Sequence, residues 1–163
     1  MGPKMDAARR KQLEERRRFM HERNAARAQR QAMEPALSAL EQAGETFRVY
    51  RLGPEPHWNP RWIPSGYSYI PWHDLPGVET RKVNDRPAMA EVLRELLAER
   101  LKPEDEFLFV PAGKGWSIGM LREGFDRHAE ALLDVAWDNA YLAAPPAQWL
   151  LCGDWSRVMW KDG

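Results

Sequence analysis

The sequence predicts an α+β protein: a small mixed or antiparallel sheet with two amphipathic helices packed on it, a C-terminal β-hairpin, and an extended basic helix at the N-terminus. Three observations lead there. Residues 86–101 and 119–136 repeat apolar side chains at helical spacing. Short runs at 47–52, 107–110 and 149–160 have the aromatic and aliphatic content of strands. Residues 6–43 are rich in strong helix formers and contain no glycine. The length of 163 residues suits one core and an appendage, which divides the chain into a helical arm over 1–43 and a globular domain over 44–163.

Taken in order, the arm is sparse in apolar residues in its first half (Leu13, Phe19, Met20), while Met33, Leu37 and Leu40 repeat at helical spacing in its second. Only the second half is therefore expected to dock on a core, with Pro35 marking a kink or break. Gly44 ends the helix, and Phe47 to Leu52 follow as a strand. Between Pro54 and Pro76 prolines alternate with Trp58, Trp62, Tyr67, Tyr69 and Trp72, which forbids a long helix or a central strand and predicts an irregular packed loop. Val78 to Val83 reads as a short strand. Asn84-Asp85-Arg86-Pro87 then supplies N-cap chemistry for a helix whose Met89, Val92, Leu93, Leu96, Leu97 and Leu101 form one stripe, stopped by Pro103.

The continuously apolar Phe107 to Val110 reads as a central strand covered on both faces. The loop Pro111 to Ser117 follows it. A second amphipathic helix is expected from about Gly119, with Leu121, Phe125, Ala129, Leu132, Leu133 and Ala136 inward. Tyr141 to Ala143 precedes a hairpin of Trp149 to Cys152 and Trp155 to Trp160, turning on Gly153-Asp154.

A net charge of zero hides an asymmetry. Residues 1–34 hold ten Lys or Arg against five Asp or Glu, so they carry +5 and the remainder −5. The apolar content of 44 %, with eight Trp and five Phe, excludes a disordered chain. No run approaches the length that spans a bilayer, and the charged N-terminus lacks the apolar segment of a secretory leader, so a cytoplasmic protein is expected. The single cysteine, Cys152, has no partner for a disulfide, zinc site or redox pair, and is expected to be a buried, inert thiol.

Chemistry-bearing motifs are scarce. Gly113-Lys114-Gly115-Trp116-Ser117-Ile118-Gly119 sits where a strand would lead into a helix and could hold phosphate, but its spacing matches neither the dinucleotide fingerprint nor the P-loop. Of His21, His57, His73 and His128, none are paired at metal-ligand spacing; His73 beside Asp74 is the best general-base candidate. No hydrolase or metalloprotease signature is present. The expectation is a protein that is not an enzyme, with no cofactor, no metal and no catalytic residues.

Two charged features and one aromatic feature remain. Arg9, Arg10, Lys11, Arg16, Arg17, Arg18, Arg23, Arg27 and Arg30 lie on one predicted helix and could bind nucleic acid by releasing counterions from phosphates. Glu14, Glu15 and Glu22 are interleaved with them, so a merely solvated, internally paired helix is the alternative. Leu13, Phe19 and Met20 make too little apolar face for a membrane. The loop residues Trp58, Arg61, Trp62, Tyr67, Tyr69 and Trp72 form either a recognition surface or a proline-braced lid over the core. Glu123, Asp126, Glu130 and Asp134, with Asp138 beyond, give the second helix an acidic outer face that either steers a basic partner or is simply solvated.

The combination of an α+β body, acidic helix faces and the Trp-rich terminal segment Trp149-Leu150-Leu151-Cys152-Gly153-Asp154-Trp155 resembles bacterial immunity proteins that neutralise polymorphic or contact-dependent toxins. The resemblance covers residues 45–163 and rests on general character. It implies a tight one-to-one complex in which acidic and aromatic residues occlude a toxin's active site. The first expected function is thus a protein-binding module, an immunity-type inhibitor whose partner is another protein such as a toxin domain. The alternative is a nucleic-acid-associated protein that holds phosphate through the arm.

Overall fold

A computed structural model describes residues 6–51, 60–63, 70–112, 115–136 and 139–163, the side chains of Gln29 and Arg51 excepted. The first helix, α1 (Ala7–Gln42), starts at Asp6, whose side chain accepts from the Ala8 N–H, and runs through Pro35 without a break. The expected interruption does not occur because Pro35 is exposed while Met33, Ala36, Leu37 and Leu40 are buried on either side of it. Docking on both sides holds the turn that the missing N–H weakens. Gly44, at φ 69°, closes the helix: its N–H donates to the Glu41 carbonyl and the Glu45 N–H to the Leu40 carbonyl, satisfying the last orphan acceptors.

Seven strands form one sheet: β1 (Phe47–Arg51), β2 (Glu79–Lys82), β3 (Glu106–Pro111), β4 (Trp116–Leu121), β5 (Ala140–Ala144), β6 (Ala147–Gly153) and β7 (Arg157–Lys161). Their order is β1-β4-β3-β5-β6-β7-β2 and every pair is antiparallel. The fold class is thus α+β with an antiparallel, open sheet. α2 (Arg86–Arg100) and α3 (Arg122–Ala136) lie on one face, and α1 docks its C-terminal half against α3.

Residue alternation assigns the faces. Phe107, Phe109, Ile118, Met120, Leu142, Leu151, Val158 and Trp160 point to the helices and share their core with Met33, Leu40, Leu93, Leu97, Phe125 and Leu132. Val110, Ala143, Leu150, Cys152 and Met159 point the other way, where Trp72 completes a second cluster with Trp62, Ile63 and Ile70 against it. Coverage from both sides explains the uninterrupted apolar run of β3, which lies between β4 and β5. α2 matches its predicted stripe: Asp85 caps it by accepting from the Ala88 N–H at 2.8 Å, and Met89, Val92, Leu93, Leu96 and Leu97 are buried.

Three local expectations are corrected. α3 begins at Arg122, three residues after the expected Gly119, because Trp116 to Leu121 form a strand paired with β1 and β3. In that strand Ile118 and Met120 alternate with Ser117 and Gly119, a period of two that the helix expected from Gly119 cuts across. The element that follows β3 is consequently an antiparallel strand, not a helix, and Gly115 ahead of it stands at φ 69°. The last hairpin also shifts. Its turn is Asp154 to Ser156, held by Asp154 accepting from the N–H groups of Ser156 and Arg157, so Trp155 lies in the turn and is 70 % exposed.

Candidate functional site

The largest exposed chemical feature among the described residues is the N-terminal two-thirds of α1. All of its cations, Arg9, Arg10, Lys11, Arg16, Arg17, Arg18, Arg23, Arg27 and Arg30, are exposed. The uninterrupted helix fixes where they point, since each residue turns the direction by about 100°. Arg9, Arg10, Arg16, Arg17, Arg23, Arg27 and Arg30 fall within a sector of about 160°, and no acidic residue of this stretch shares it. Glu14, Glu15 and Glu22 all lie on the opposite half, with Lys11 and Arg18.

The ion pairing agrees with this segregation. Of the possible pairs between arm arginines and glutamates, Arg18–Glu22 at 3.1 Å is the one found among the described residues. The seven arginines of the other half have no ion pair there. Their face extends about 32 Å from Arg9 to Arg30 at 1.5 Å per residue. It is also directed away from the body, because its centre lies about 150° around the helix from the side on which Met33, Ala36, Leu37 and Leu40 are buried. Leu13 and Met20, 40 % and 51 % exposed, sit within the arginine face; Phe19, 62 % exposed, is at its margin.

Besides the buried Met33, Ala36, Leu37 and Leu40, a residue that the sequence reading missed ties this rod to the body. Glu45 follows the Gly44 turn and accepts two hydrogen bonds from the Arg127 guanidinium on α3, at 2.6 and 2.8 Å. The guanidinium hydrogen bond lowers the Glu45 pKa from its ordinary 4.5 and overcomes the opposing effect of burial. The same bond raises the pKa of Arg127. One signal was available: the residue just beyond a helix-ending glycine usually makes an apolar contact, and a carboxylate there calls for a cation.

The other predicted positions are dispersed. In the aromatic loop Trp72 is buried and Trp62 half-buried, their rings 6.4 Å apart; Trp62 donates from Nε1 to the Gln148 carbonyl at 2.5 Å, and Lys161 Nζ lies 5.4 Å over its ring. Arg61 is exposed, with its backbone N–H donating to the Gln148 side chain. Among the described residues of this loop, Trp72 lies in the second buried cluster, with Trp62, Ile63 and Ile70 packed against it. Trp58, Tyr67, Tyr69 and His57 lie outside the described residues, as do Gly113, Lys114 and Asp138.

On α3, Glu130 and Asp134 are exposed while Glu123 and Asp126 are half-buried. Asp126 stands 3.7 Å from Arg122, and Asp134 stands 3.6 Å from Arg86. Arg127 projects from the same helix, near enough to Glu123 and Asp126 for both to raise its pKa. This face alternates in sign, unlike that of α1. His73 and Asp74 are exposed in the short helical turn Trp72–Asp74, and His128 lies 3.3 Å from Glu45; no metal-binding group of His, Cys, Asp or Glu occurs among the described residues. No described helix is long and apolar enough to cross a membrane. No protein-family model, curated protein or solved structure matches the chain.

Proposed function

We propose that the protein binds nucleic acid along its phosphate backbone through the arginine face of α1, with the α+β body carried at the end of the rod. The observation that carries this is the segregation: seven exposed arginines on one half of a helix, with no acidic residue among them and, among the described residues, no ion pair. A contiguous face of cations free of carboxylates can meet a phosphate backbone without like-charge repulsion, and each cation displaces condensed counterions there. The rod also keeps the negatively charged body on the side opposite the nucleic acid.

The test is the affinity of the full chain for a fluorescent oligonucleotide as salt rises from about 50 to about 200 mM. With seven cations at about 0.9 counterion each, the slope of log K against log salt should reach at most about −6. Arg16→Glu combined with Arg23→Glu should abolish binding while circular dichroism stays that of the parent. A flat salt dependence, or unchanged binding by that variant, would sink the proposal.

A second reading, a protein-binding module of the immunity type, draws support from Glu130, which is exposed and unpaired among the described residues. It predicts a partner protein captured from the native host that survives the Arg16→Glu, Arg23→Glu change and is lost on Asp126→Lys with Glu130→Lys. The interleaved cations of α3 and the inward packing of Trp62 and Trp72 give it the narrower basis.

A further inference from the structure

We infer that the nucleic acid is duplex DNA and that α1 lies along its major groove, with cations reaching the phosphates on both sides. This rests on the phosphate-binding reading of the arm and adds what kind of polymer it takes. The arginine face has an internal order. Its middle, a strip about 40° wide, holds Leu13, Met20, Asn24 and Gln31 and no charge. Arg9, Arg16, Arg23, Arg27 and Arg30 flank the strip on one side, and Arg10 and Arg17 flank it on the other.

A helix laid across a single phosphate ridge needs one row of cations, centred on the contact. Cations on both sides of an uncharged strip suit a helix with a ridge to its left and another to its right, which is the situation inside a groove. The major groove of B-form DNA is about 12 Å wide and admits an α-helix of about 10–12 Å diameter. The deep, narrow major groove of A-form RNA does not admit one. The strip would then face base edges, where Leu13 and Met20 suit thymine methyl groups and the side-chain amides of Asn24 and Gln31 can pair with adenine.

Single-stranded nucleic acid fits this surface less well. Proteins that hold it stack successive bases on aromatic rings. Among the described residues of the arm ahead of Met33, Phe19 is the sole Phe, Tyr or Trp, and it stands outside the strip. The length is sufficient: about 32 Å of arginine face can reach both walls of a groove about 12 Å wide. Nothing in the arm interrupts it, since the first proline in α1 is Pro35, where the helix has already reached the body.

The experiment compares the full chain on one sequence of about 20 base pairs, presented as a DNA duplex, an RNA duplex and a DNA single strand, at about 100 mM salt. Methylation of guanine N7 in the major groove is probed in parallel, with a minor-groove ligand as competitor. The expected result is at least about tenfold tighter binding to the DNA duplex than to either alternative, protection of N7, and no displacement by the competitor. Equal affinity for all three polymers, or unprotected N7, overturns the groove geometry while leaving phosphate binding by the arm intact. No binding to any of them at low salt overturns both.

Discussion

Glu45 and Arg127 meet through two parallel hydrogen bonds, Nε to Oε1 at 2.6 Å and Nη2 to Oε2 at 2.8 Å, and this pair ties the end of α1 to α3. The Glu45 side chain is 8 % exposed, whereas that of Arg127 is 54 % exposed, so the carboxylate depends on the guanidinium more than the reverse. Gly124 makes room for it: a Cβ there would lie 3.2 Å from Oε2. The folded pKa of Glu45 is lowered below 4.5. Its ionised form therefore stabilises the fold above that value, and the contribution is lost as pH falls through the lowered folded pKa. Urea midpoints taken from about pH 6 down to about pH 3 should fall for the parent and fall less steeply for Glu45→Gln. Parallel curves for the two proteins would show that the pair does not govern acid stability.

The core makes a second, larger demand at Phe125. Its ring meets Phe107 edge-on at 5.6 Å and Phe109 at 6.2 Å, and all three side chains are fully buried between α3 and the sheet. Truncation leaves a cavity that two aromatic neighbours cannot collapse into. Phe125→Ala should cost about 3–5 kcal/mol, read as a shift of the denaturation midpoint with unchanged slope. A loss below about 1 kcal/mol would mean that α3 repacks freely on the sheet.

How far the sequence carried this picture depended on which signals were local. α2 was legible from end to end, because its cap at Asp85 and its apolar stripe are both written within one short, continuous stretch. The buried half of α1 was legible for the same reason. β4 was not: Trp116-Ser117-Ile118-Gly119-Met120-Leu121 alternates only weakly, and its strand character is supplied by its pairing with β1 and β3. Glu45 was also missed, since its partner lies 82 residues away. On the arm the charges were visible and their segregation was not drawn out. Interleaved glutamates suggested internal pairing, yet an uninterrupted helix turns those glutamates to the side away from seven of the nine cations.

The second cluster offers a chemical probe. Cys152 on β6 stands opposite Tyr141 on β5, in the buried cluster that Trp72 completes. Burial raises the thiol pKa far above its ordinary value, so no nucleophilic thiolate forms at neutral pH. A thiol-specific disulfide reagent should leave the native chain unmodified and react at the rate of unfolding, accelerating with urea. Burst labelling in native buffer would show that this cluster opens without global unfolding.

Tyr141 tests the same face from the alkaline side. Burial, ahead of the neighbouring Cys152 and Asp154, pushes its pKa from 10.0 to about 12. The raised value means that its contribution to stability is complete below pH 10.0 and is lost as pH rises through about 12. Tyr141→Phe should therefore flatten the alkaline limb of the stability curve, and the phenolate absorbance of the parent should lack one tyrosine until pH approaches 12. Complete titration near pH 10.0 in the folded state would count against the burial of Tyr141.

The arm supplies the sharpest comparison, because Arg18 and Arg23 have the same charge and are both exposed but have opposite placement on α1. Arg23 lies in the arginine face with no ion pair among the described residues, and Arg18 lies on the other half, held by Glu22 at 3.1 Å. If net charge alone attracts nucleic acid, neutralising either should cause equal losses. A binding face predicts unequal ones: Arg23→Gln should weaken binding on every sequence alike and reduce the magnitude of the salt slope by about 1, since one fewer counterion is released. Arg18→Gln should change the slope by much less, because that side chain stands on the half of the helix turned away from the arginine face. If the two variants shift the slope equally, the segregation of charge on α1 has no part in binding, and the arm acts only through its total charge.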